Sequence, residues 1–235
     1  MKTQYENRVL SSFLLWFDHT LLKKGEAYTN HGSKMYSVDG GYYGYHAYGA
    51  PFKQFVTDSS IPSATVCSGV HVGSSFYKTG QGNLVDINYD QGQAYFSSDQ
   101  GSSVISGDYA IKDFNVYLTS KAEQEILFED KIDLRPSTTQ TEAGLASNVA
   151  TYPAVFIKNN GGENEPFAFG GQDATKTEVR AIVLSDSQFN LDALCSIFKD
   201  RARENIKILP DDKYPFNALG GLKSSVYNYT GLVNG

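Results

Sequence analysis

The sequence predicts a mainly β protein with an α/β C-terminal part. An N-terminal amphipathic helix is followed by an antiparallel β-sandwich or barrel, and then by a strand–helix–strand unit. Three observations support this fold class. The 235 residues include 16 Tyr, 14 Phe and 22 Gly, which suits strands joined by tight turns. Apolar residues recur with helical spacing near the N-terminus, and residues 61–128 show short apolar runs separated by turn residues.

The first predicted element is a helix over residues 5–24. Apolar side chains recur there at steps of three and four residues, which places them on one face. This stripe consists of Val9, Leu10, Phe13, Leu14, Phe17 and Leu21. Lys23 and Lys24 complement the helix dipole, and Gly25 accepts the left-handed conformation that often ends a helix.

A stretch rich in tyrosine and glycine follows at residues 35–52, MYSVDGGYYGYHAYGAPF. Because glycine loosens the backbone and tyrosine carries a large ring, this stretch predicts a long loop that docks a neighbouring subunit, a peptide or a sugar. The alternative is a loop packed against its own domain. Aromatic rings are enriched in interfaces, so the tyrosines are candidate interface residues. The candidates are Tyr42, Tyr43, Tyr45 and Tyr48 in this loop, and Tyr227 and Tyr229 in the C-terminal arm.

Residues 61–128 read as a β-domain. In NLVDINYDQGQAYF, residues 83–96, apolar and polar side chains alternate before an Asp-Gln-Gly turn, which predicts a hairpin. In DYAIKDFNVYL, residues 108–118, the alternation slips at the Lys-Asp pair, which predicts a bulge or a bend. EILFEDKIDL, residues 125–134, reads as another strand.

A polar segment divides the chain into two predicted regions. RPSTTQTEAGLASN, residues 135–148, has linker composition, so residues 1–134 form the helix and β-domain and residues 149–235 form an α+β region with an extended arm. Strands are predicted in PAVFIK and EVRAIVL, with a turn or loop at NNGGENEP between them. Ser187 or Asn190 caps the next helix, and a further strand begins at Ile206. The buried stripe predicted for this helix is Leu191, Leu194, Cys195 and Phe198.

Charge and composition narrow the class of partner. The net charge is −6 with a pI of about 5.2, and no basic stripe is present, which argues against sequence-specific nucleic-acid binding. The apolar run FLLWF is too short to cross a membrane. Two distant cysteines exclude a disulfide framework, and the N-terminus lacks the apolar core of a signal peptide, so folding in a reducing cytoplasm is expected.

Motifs for catalysis are sparse in this sequence. It contains no phosphate-binding glycine motif and no G-x-S-x-G elbow. The enzymatic alternatives are a metal site from Asp18, His19, His31 and His46, and a nucleophile pair of Cys67 with His71. Because no spacing fixes two metal ligands on one face and buried cysteines are mostly inert, the prediction is a non-enzymatic protein without catalytic, cofactor-binding or metal-binding residues.

The order of these β elements resembles a known class of proteins. DINYDQGQAYF followed by ISGDYAIKDFNVYL, within residues 61–128, resembles structural proteins of tailed bacteriophages: neck, head–tail connector or tail-completion components. EVRAIVLSDSQFNLDALCSIFKD also resembles the strand-then-helix part of small virion assembly proteins.

The resemblance implies a non-enzymatic subunit that forms a homo-oligomeric ring in the neck or tail and joins head to tail. Its implied partners are copies of itself and neighbouring neck, portal or tail proteins, and no cofactor or membrane is implied. Its location would be the virion, assembled in the host cytoplasm. A carbohydrate- or receptor-binding tail protein remains the alternative, because aromatic rings such as those at residues 42–48 stack on sugars.

Overall fold

The computed structural model describes residues 5–128, 132–134, 150–165 and 174–234. It confirms the predicted fold class: a mainly β protein with an N-terminal helix, a nearly closed antiparallel barrel and an α/β C-terminal part. The linker predicted at residues 135–148 lies outside the described residues.

Helix α1 spans Tyr5–Lys24, as predicted. The N–H of Gly25 donates to the carbonyl of Leu21 over 3.0 Å, and a Cβ at Gly25 would lie 2.6 Å from that same oxygen. Gly25 does not adopt the left-handed conformation predicted for it, because the positive φ, 49°, falls on Glu26 instead. Its apolar face packs into a core formed with the second sheet and the C-terminal segments.

Seven antiparallel strands form the barrel. They are β1 (Tyr28–Tyr42), β2 (Tyr45–Gly49), β3 (Gly69–Val72), β4 (Ser75–Lys78), β5 (Leu84–Asn88), β6 (Gln93–Phe96) and β7 (Ile105–Lys112). The strand order is β4-β3-β7-β1-β2-β6-β5. Because the two edge strands β4 and β5 are joined by residues 79–83 alone, the edges must come close together and the sheet curls around its apolar core.

The Tyr/Gly-rich stretch at residues 35–52 is a hairpin, so the prediction of a long loop was wrong. The first half of β1 pairs with β7, and its second half pairs with β2. Gly40, Gly41 and Gly44 adopt positive φ and form a bulge and a tight turn. Glycine therefore shapes strand geometry here, while the tyrosines provide side chains for a pleated surface.

The hairpin predicted at residues 83–96 is confirmed as β5 and β6. Gly92 adopts φ +64°, and a Cβ there would lie 2.2 Å from the carbonyl oxygen of Phe52. The side chain of Asn88 accepts a hydrogen bond from the N–H of Gln91 over 3.0 Å. The turn is thus fixed both by its own backbone and by the neighbouring loop.

The slip in alternation near Lys112 marks a change of sheet, rather than the predicted bulge or bend in one strand. β7 ends at Lys112, and β8 (Asn115–Leu118) joins a second sheet with β11 (Ala154–Glu165) and β12 (Ala174–Leu184), in the order β12-β11-β8. Between them the N–H of Asp113 donates to the carbonyl of Ala27 over 2.8 Å.

Two further strand boundaries differ from prediction. EILF lies in helix α2 (Glu123–Phe128), where Glu125 accepts a hydrogen bond from the N–H of Ala122 and Ile126 alone is buried. Of the strand predicted at residues 125–134, the end forms a strand, β9 (Ile132–Leu134), which pairs in parallel with β10 (Ala150–Tyr152). NNGGENEP was predicted as a turn or loop, but β11 continues as far as Glu165, with a bulge between Asn159 and Gly161.

The C-terminal region packs back onto α1. Ser187 caps α3 (Gln188–Asp200), and of the stripe predicted for this helix Leu194 alone is fully buried. The strand predicted at Ile206 is absent among the described residues; instead the N–H of Leu209 donates to the Ser12 hydroxyl. The chain ends in α4 (Tyr229–Asn234) rather than in a strand or an extended arm.

Candidate functional site

Three of the six candidate interface tyrosines are buried within the chain. Tyr48 lies inside the barrel wall and donates its hydroxyl to Asp99 over 2.6 Å. Tyr227 and Tyr229 belong to the core around α1. Because the chain itself already covers these rings, they leave little surface for a second subunit in this conformation.

The other three tyrosines surround the tip of the β1–β2 hairpin. Tyr42 and Tyr45 are half-buried, whereas Tyr43 is 79% exposed at a positive φ of 49°. The ring of Tyr42 stacks on Tyr95 at 5.0 Å and meets the edge of Tyr43 at 4.5 Å. The hairpin tip therefore presents one aromatic ring to solvent on a fixed aromatic base.

The structure does not bring the proposed cysteine–histidine pair together. Cys67 is buried, its thiol contacts the carbonyl of Gly69 at 3.4 Å, and burial raises the pKa of that thiol to about 11. His71 packs instead against the ring of Phe76 at 5.0 Å. A thiol with a raised pKa holds little of the nucleophilic thiolate at neutral pH.

The histidines of the proposed metal site are also separated. His19 contacts Asp58, His31 stacks on Phe52, and His46 lies in β2 opposite Phe96. Across the described residues, no three His, Cys, Asp or Glu side chains are grouped closely enough to hold a metal ion.

Asp58 is the center of one buried polar site. One carboxylate oxygen lies 2.6 Å from Nδ1 of His19, and the other accepts hydrogen bonds from the N–H and hydroxyl of Ser60 and from the N–H of Tyr229. Burial alone would raise the pKa of Asp58, but these donors outweigh burial and lower it. The site joins α1, the loop after Phe55 and the C-terminal segment.

A cleft of about 290 Å³ lies between the barrel, α1 and the C-terminal segment. Apolar side chains provide most of its walls, and a few polar groups converge inside it, which is the usual composition of a ligand site. Its lining comprises Leu14, Leu15, Asp18, Gln54, Phe55, Thr57, Tyr89, Asp90, Lys112, Val116, Tyr214, Phe216, Asn217 and Gly220.

The far wall of the cleft is anchored to the barrel. The side-chain amide of Asn217 donates to Asp86 over 2.7 Å, and the N–H of Tyr89 donates to the carbonyl of Gly220 over 3.2 Å. The side chain of Asn217 also accepts hydrogen bonds from the N–H groups of Leu219 and Gly221. These bonds hold the segment in place, so the cleft is preformed.

An ion pair crosses one side of the cleft. Nζ of Lys112 on β7 lies 2.7 Å from Oδ1 of Asp18 on α1, and both side chains are largely buried. The contact lacks the directionality of a hydrogen bond, so its attraction is mainly electrostatic. It ties the helix to the barrel at the point where the two cores meet.

Asp90 faces the same cleft and is held by neutral amides. Gln54 donates to one carboxylate oxygen over 2.9 Å, and Gln91 donates to the other over 3.1 Å. The orientation of Gln54 is fixed because its amide also donates to the carbonyl of Val116 and accepts from the Val116 N–H. Asp90 thus has a defined position at the opening of the cleft.

The protein around the cleft desolvates Asp90 and raises its pKa. Lys112, Gln54, Lys53 and Gln91 act in the opposite direction, but less strongly. Burial likewise raises the pKa of Tyr214, and the negative charges of Asp90 and Asp18 add to this effect. Titratable groups shifted by desolvation inside a cleft are typical of functional sites.

Sequence reasoning missed this cleft because its polar residues come from five separate segments. Asp18 was considered only as a metal ligand, and Asp90 only as a turn residue. The signal for Asp18 was its place on a helix face that is buried between apolar residues. Gln54 gave no signal, since its positive φ of 53° appears only in the structure.

Comparison of the chain with protein-family models, with curated proteins and with solved structures found no match. Within the described part of the chain, no helix has the length and apolar character needed to span a membrane.

Proposed function

We propose that this chain is a non-enzymatic structural subunit of a tailed-phage particle, forming a homo-oligomeric ring in the neck or tail that joins head and tail. The resemblance of residues 61–128 to such proteins suggests the class of particle. The observation that carries the assembly role is the β11–β12 hairpin, whose outer half extends beyond the core of its own chain.

The outer half of this hairpin, called the arm here, pairs residues 161–165 with residues 174–178. Its described side chains are exposed, apart from the half-buried Thr177. Since successive strand residues point to opposite faces, both faces of the arm meet solvent over about 17 Å. Two-stranded ribbons are marginally stable in water, so a ribbon that no described core residue covers suits contact with a neighbouring subunit.

The base of the arm is held in a defined direction. The side-chain amide of Asn159 donates to Glu6 on α1 over 3.1 Å, and the N–H of Gly161 donates to the side chain of Asn159 over 3.0 Å. An arm that leaves the body from a fixed base costs less entropy on docking than a loose tail.

Exposed aromatic side chains elsewhere support the same proposal. Tyr43, Phe128 and Phe189 are each about four-fifths exposed: 79%, 82% and 81%. Large rings are costly to leave in water and contribute strongly when an interface covers them. Tyr43 stands at the hairpin tip, and Phe189 begins α3, so the rings lie on separate elements that neighbouring subunits can contact.

The oligomeric state of the purified chain tests this proposal. Analytical ultracentrifugation and negative-stain microscopy should show a discrete ring, formed by the chain alone or on addition of a neck or tail partner. In an arm-shortened variant an Asn-Gly turn replaces residues 162–177, which closes the hairpin after the Gly161–Glu178 pair. This variant should keep its thermal unfolding and lose the ring.

Matched variants at the β1–β2 hairpin separate assembly from folding. Joint replacement of Tyr43 and Tyr45 by serine should weaken assembly by about 2 kcal/mol or more, if the tip is part of the interface. Tyr48→Phe removes a buried hydroxyl and should lower stability by about 1 kcal/mol while leaving assembly intact. A chain that stays monomeric with every partner, and is missing from the particle, contradicts the proposal. Binding on a glycan array, lost on Tyr43→Ser, would favour the carbohydrate-binding alternative.

A further inference from the structure

The ionisable groups that line the cleft carry an unbalanced charge. Asp18 and Lys112 neutralise one another at 2.7 Å. Asp90 has no cationic partner within ion-pair distance among the described residues, and its direct hydrogen bonds come from the neutral amides of Gln54 and Gln91. The three lining charges therefore sum to −1. Lys112 attracts Asp90 electrostatically without forming an ion pair with it, and Lys53 attracts it less strongly and does not line the cleft.

A second recess meets the cleft at Asp90 and adds an unsatisfied acceptor. Its lining includes Tyr42, Asn88, Gln91 and Ala218, and it shares Asp90, Asn217 and Gly220 with the cleft. Gln91 lines this recess, and its side-chain oxygen is buried without a hydrogen-bond partner among the described residues. Buried polar atoms of this kind usually find a donor, so this acceptor, next to the Asp90 carboxylate in sequence and in the recess, is a group that the donor of a ligand would satisfy.

The walls behind these acceptors are aromatic and aliphatic. Phe55, Tyr89, Tyr214 and Phe216 line the cleft together with Leu14, Leu15 and Val116. Aromatic rings near a carboxylate attract organic cations through the ring quadrupole as well as through charge. The apolar area of the walls suits a short hydrocarbon stem on such a cation.

We propose that the cleft binds an organic cation, a primary ammonium or guanidinium group on a short apolar stem. The cationic group lies between Asp90 and the side-chain oxygen of Gln91, and the stem packs along Phe216 and Leu15. The Lys112 ammonium is held against Asp18 on the α1 side of the cleft, so it leaves Asp90 available. The cation is either a free amine or a Lys or Arg side chain of a neighbouring subunit, since both offer the same chemistry.

Other ligand classes fit the cleft less well. An anion would meet two carboxylates, and the single ammonium that lines the cleft is already paired. An uncharged ligand would displace water from the exposed carboxylate of Asp90 without pairing its charge. A divalent metal ion needs several oxygen ligands, and the described residues provide no group of three suitable side chains.

Titration of the full-length chain with 2-phenylethylamine tests the proposal, with 2-phenylethanol as the uncharged probe of matched shape. Calorimetry and NMR should show that the amine binds. The alcohol should bind at least about tenfold more weakly, because charge-assisted hydrogen bonds are stronger than neutral ones. Asp90→Asn keeps the shape and the acceptor toward Gln54 but removes the charge, and it should weaken amine binding about tenfold. Asp99→Asn, an exposed carboxylate outside the cleft, is the matched control and should bind as the unmodified chain does.

The pH dependence gives a second readout. Protonation of Asp90 removes the charge that binds the amine. Because the surroundings raise the pKa of Asp90, the affinity should start to decrease, as the pH is lowered, at a pH above the usual range of carboxyl pKa values. The other titratable groups that act at the cleft are Asp18, Lys112, Lys53, Tyr89 and Tyr214. Asp90→Asn should remove this pH dependence and thereby assign it to Asp90.

The source of the cation is distinguished by the assembly state. If a neighbouring subunit supplies a Lys or Arg side chain, the probe binds the dissociated chain and is excluded from the assembled ring. If the ligand is a free amine, both forms bind the probe equally. An amine that fails to bind the dissociated chain, or that binds Asp90→Asn and the unmodified chain equally, overturns the proposal whether or not a ring forms.

Discussion

Asp58 and Asp90 are two carboxylates whose pKa values are shifted in opposite directions. Asp58 accepts three hydrogen bonds on one oxygen and contacts His19 with the other, and its pKa is lowered. Asp90 accepts from two neutral amides inside a cleft, and its pKa is raised. Burial acts on both groups in the same direction, so the number and charge of the donors decide the difference.

The two carboxylates differ in role: Asp58 is structural, and Asp90 is placed to bind a ligand. The donors to Asp58 come from three segments far apart in sequence, so the carboxylate fastens the C-terminal segment and α1 to the barrel. Asp90 connects fewer segments, and its carboxylate remains accessible at the opening of the cleft. A satisfied carboxylate stabilises the fold, whereas an incompletely compensated carboxylate is prepared for a ligand.

Asp58→Ala is the substitution with the largest expected effect. It leaves the hydrogen-bond donors of Ser60 and Tyr229 unsatisfied and removes the partner of His19, so the free energy of unfolding should fall by about 3 kcal/mol. Chemical denaturation measures the change, and hydrogen exchange should show increased opening of the segment at residues 227–234. Asp39→Ala removes an exposed carboxylate of β1 and provides a control, and equal losses in both variants would contradict the role assigned to Asp58.

Gly92→Ala tests the turn that positions Asp90. A methyl group there would lie 2.2 Å from the Phe52 carbonyl, at a φ of +64° that favours glycine. The free energy of unfolding should decrease by about 2 kcal/mol. Gly101→Ala also changes a glycine of positive φ but has open space around it, so its loss should be smaller. Similar losses would show that backbone conformation, and not the close contact, decides the cost.

Asp90→Asn should affect stability in the opposite direction from Asp58→Ala. A raised pKa in the folded state means that the contribution of Asp90 to stability is present in acid and is lost as the pH rises through that pKa. At neutral pH the variant should therefore be slightly more stable than the unmodified chain, by less than about 1 kcal/mol because Asp90 is partly solvated. Denaturation at several pH values measures this gain, which should shrink toward acid pH. A variant less stable than the unmodified chain at neutral pH would show that Asp90 is structural.

Protonation of Asp58 should account for part of the loss of stability at acid pH. A lowered pKa in the folded state means that its contribution is present at neutral pH and is lost as the pH falls through that pKa. Asp58→Asn should therefore flatten the loss of stability in acid, and Asp90→Asn should leave that loss in place. Thermal unfolding below pH 5 distinguishes the two variants.

Tyr43→Ser has the smallest expected effect on the isolated chain. The ring is 79% exposed and touches mainly Tyr42, so the free energy of unfolding should change by less than about 0.5 kcal/mol. Tyr95→Ser, within the same aromatic group but fully buried, should cost several times more. Equal costs would place Tyr43 in the core.

Local patterns predicted several elements correctly. The helical stripe and the lysines before Gly25 gave the bounds of α1, the Asp-Gln-Gly sequence gave the β5–β6 turn, and Ser187 was one of two caps proposed for α3. Each of these signals acts between residues close in sequence, so the sequence contains all the participants. EILF was misread because a single buried position, Ile126, fits a helix as well as a strand.

The Tyr/Gly-rich stretch shows where local reasoning failed. Its glycines permit a flexible loop, but they also permit the bulge and tight turn of a hairpin, and pairing of β1 with both β2 and β7 selects the second. The tyrosines follow from that choice: Tyr48 turns into the core and Tyr43 is left at the tip. The composition shows which side chains are present, but it does not show which face of the hairpin other parts of the chain cover.

The sequence by itself determined the helix, the hairpin turns and the alternation of apolar faces, because these depend on backbone preferences within a few residues. The tertiary structure alone decided that Asp18, Gln54, Asp90 and Lys112 share one cleft, that Asp58 fastens the C-terminal segment, and which tyrosines are buried. Periodicity specifies that a surface is apolar, but the segment that covers it is selected by packing among parts of the chain far apart in sequence.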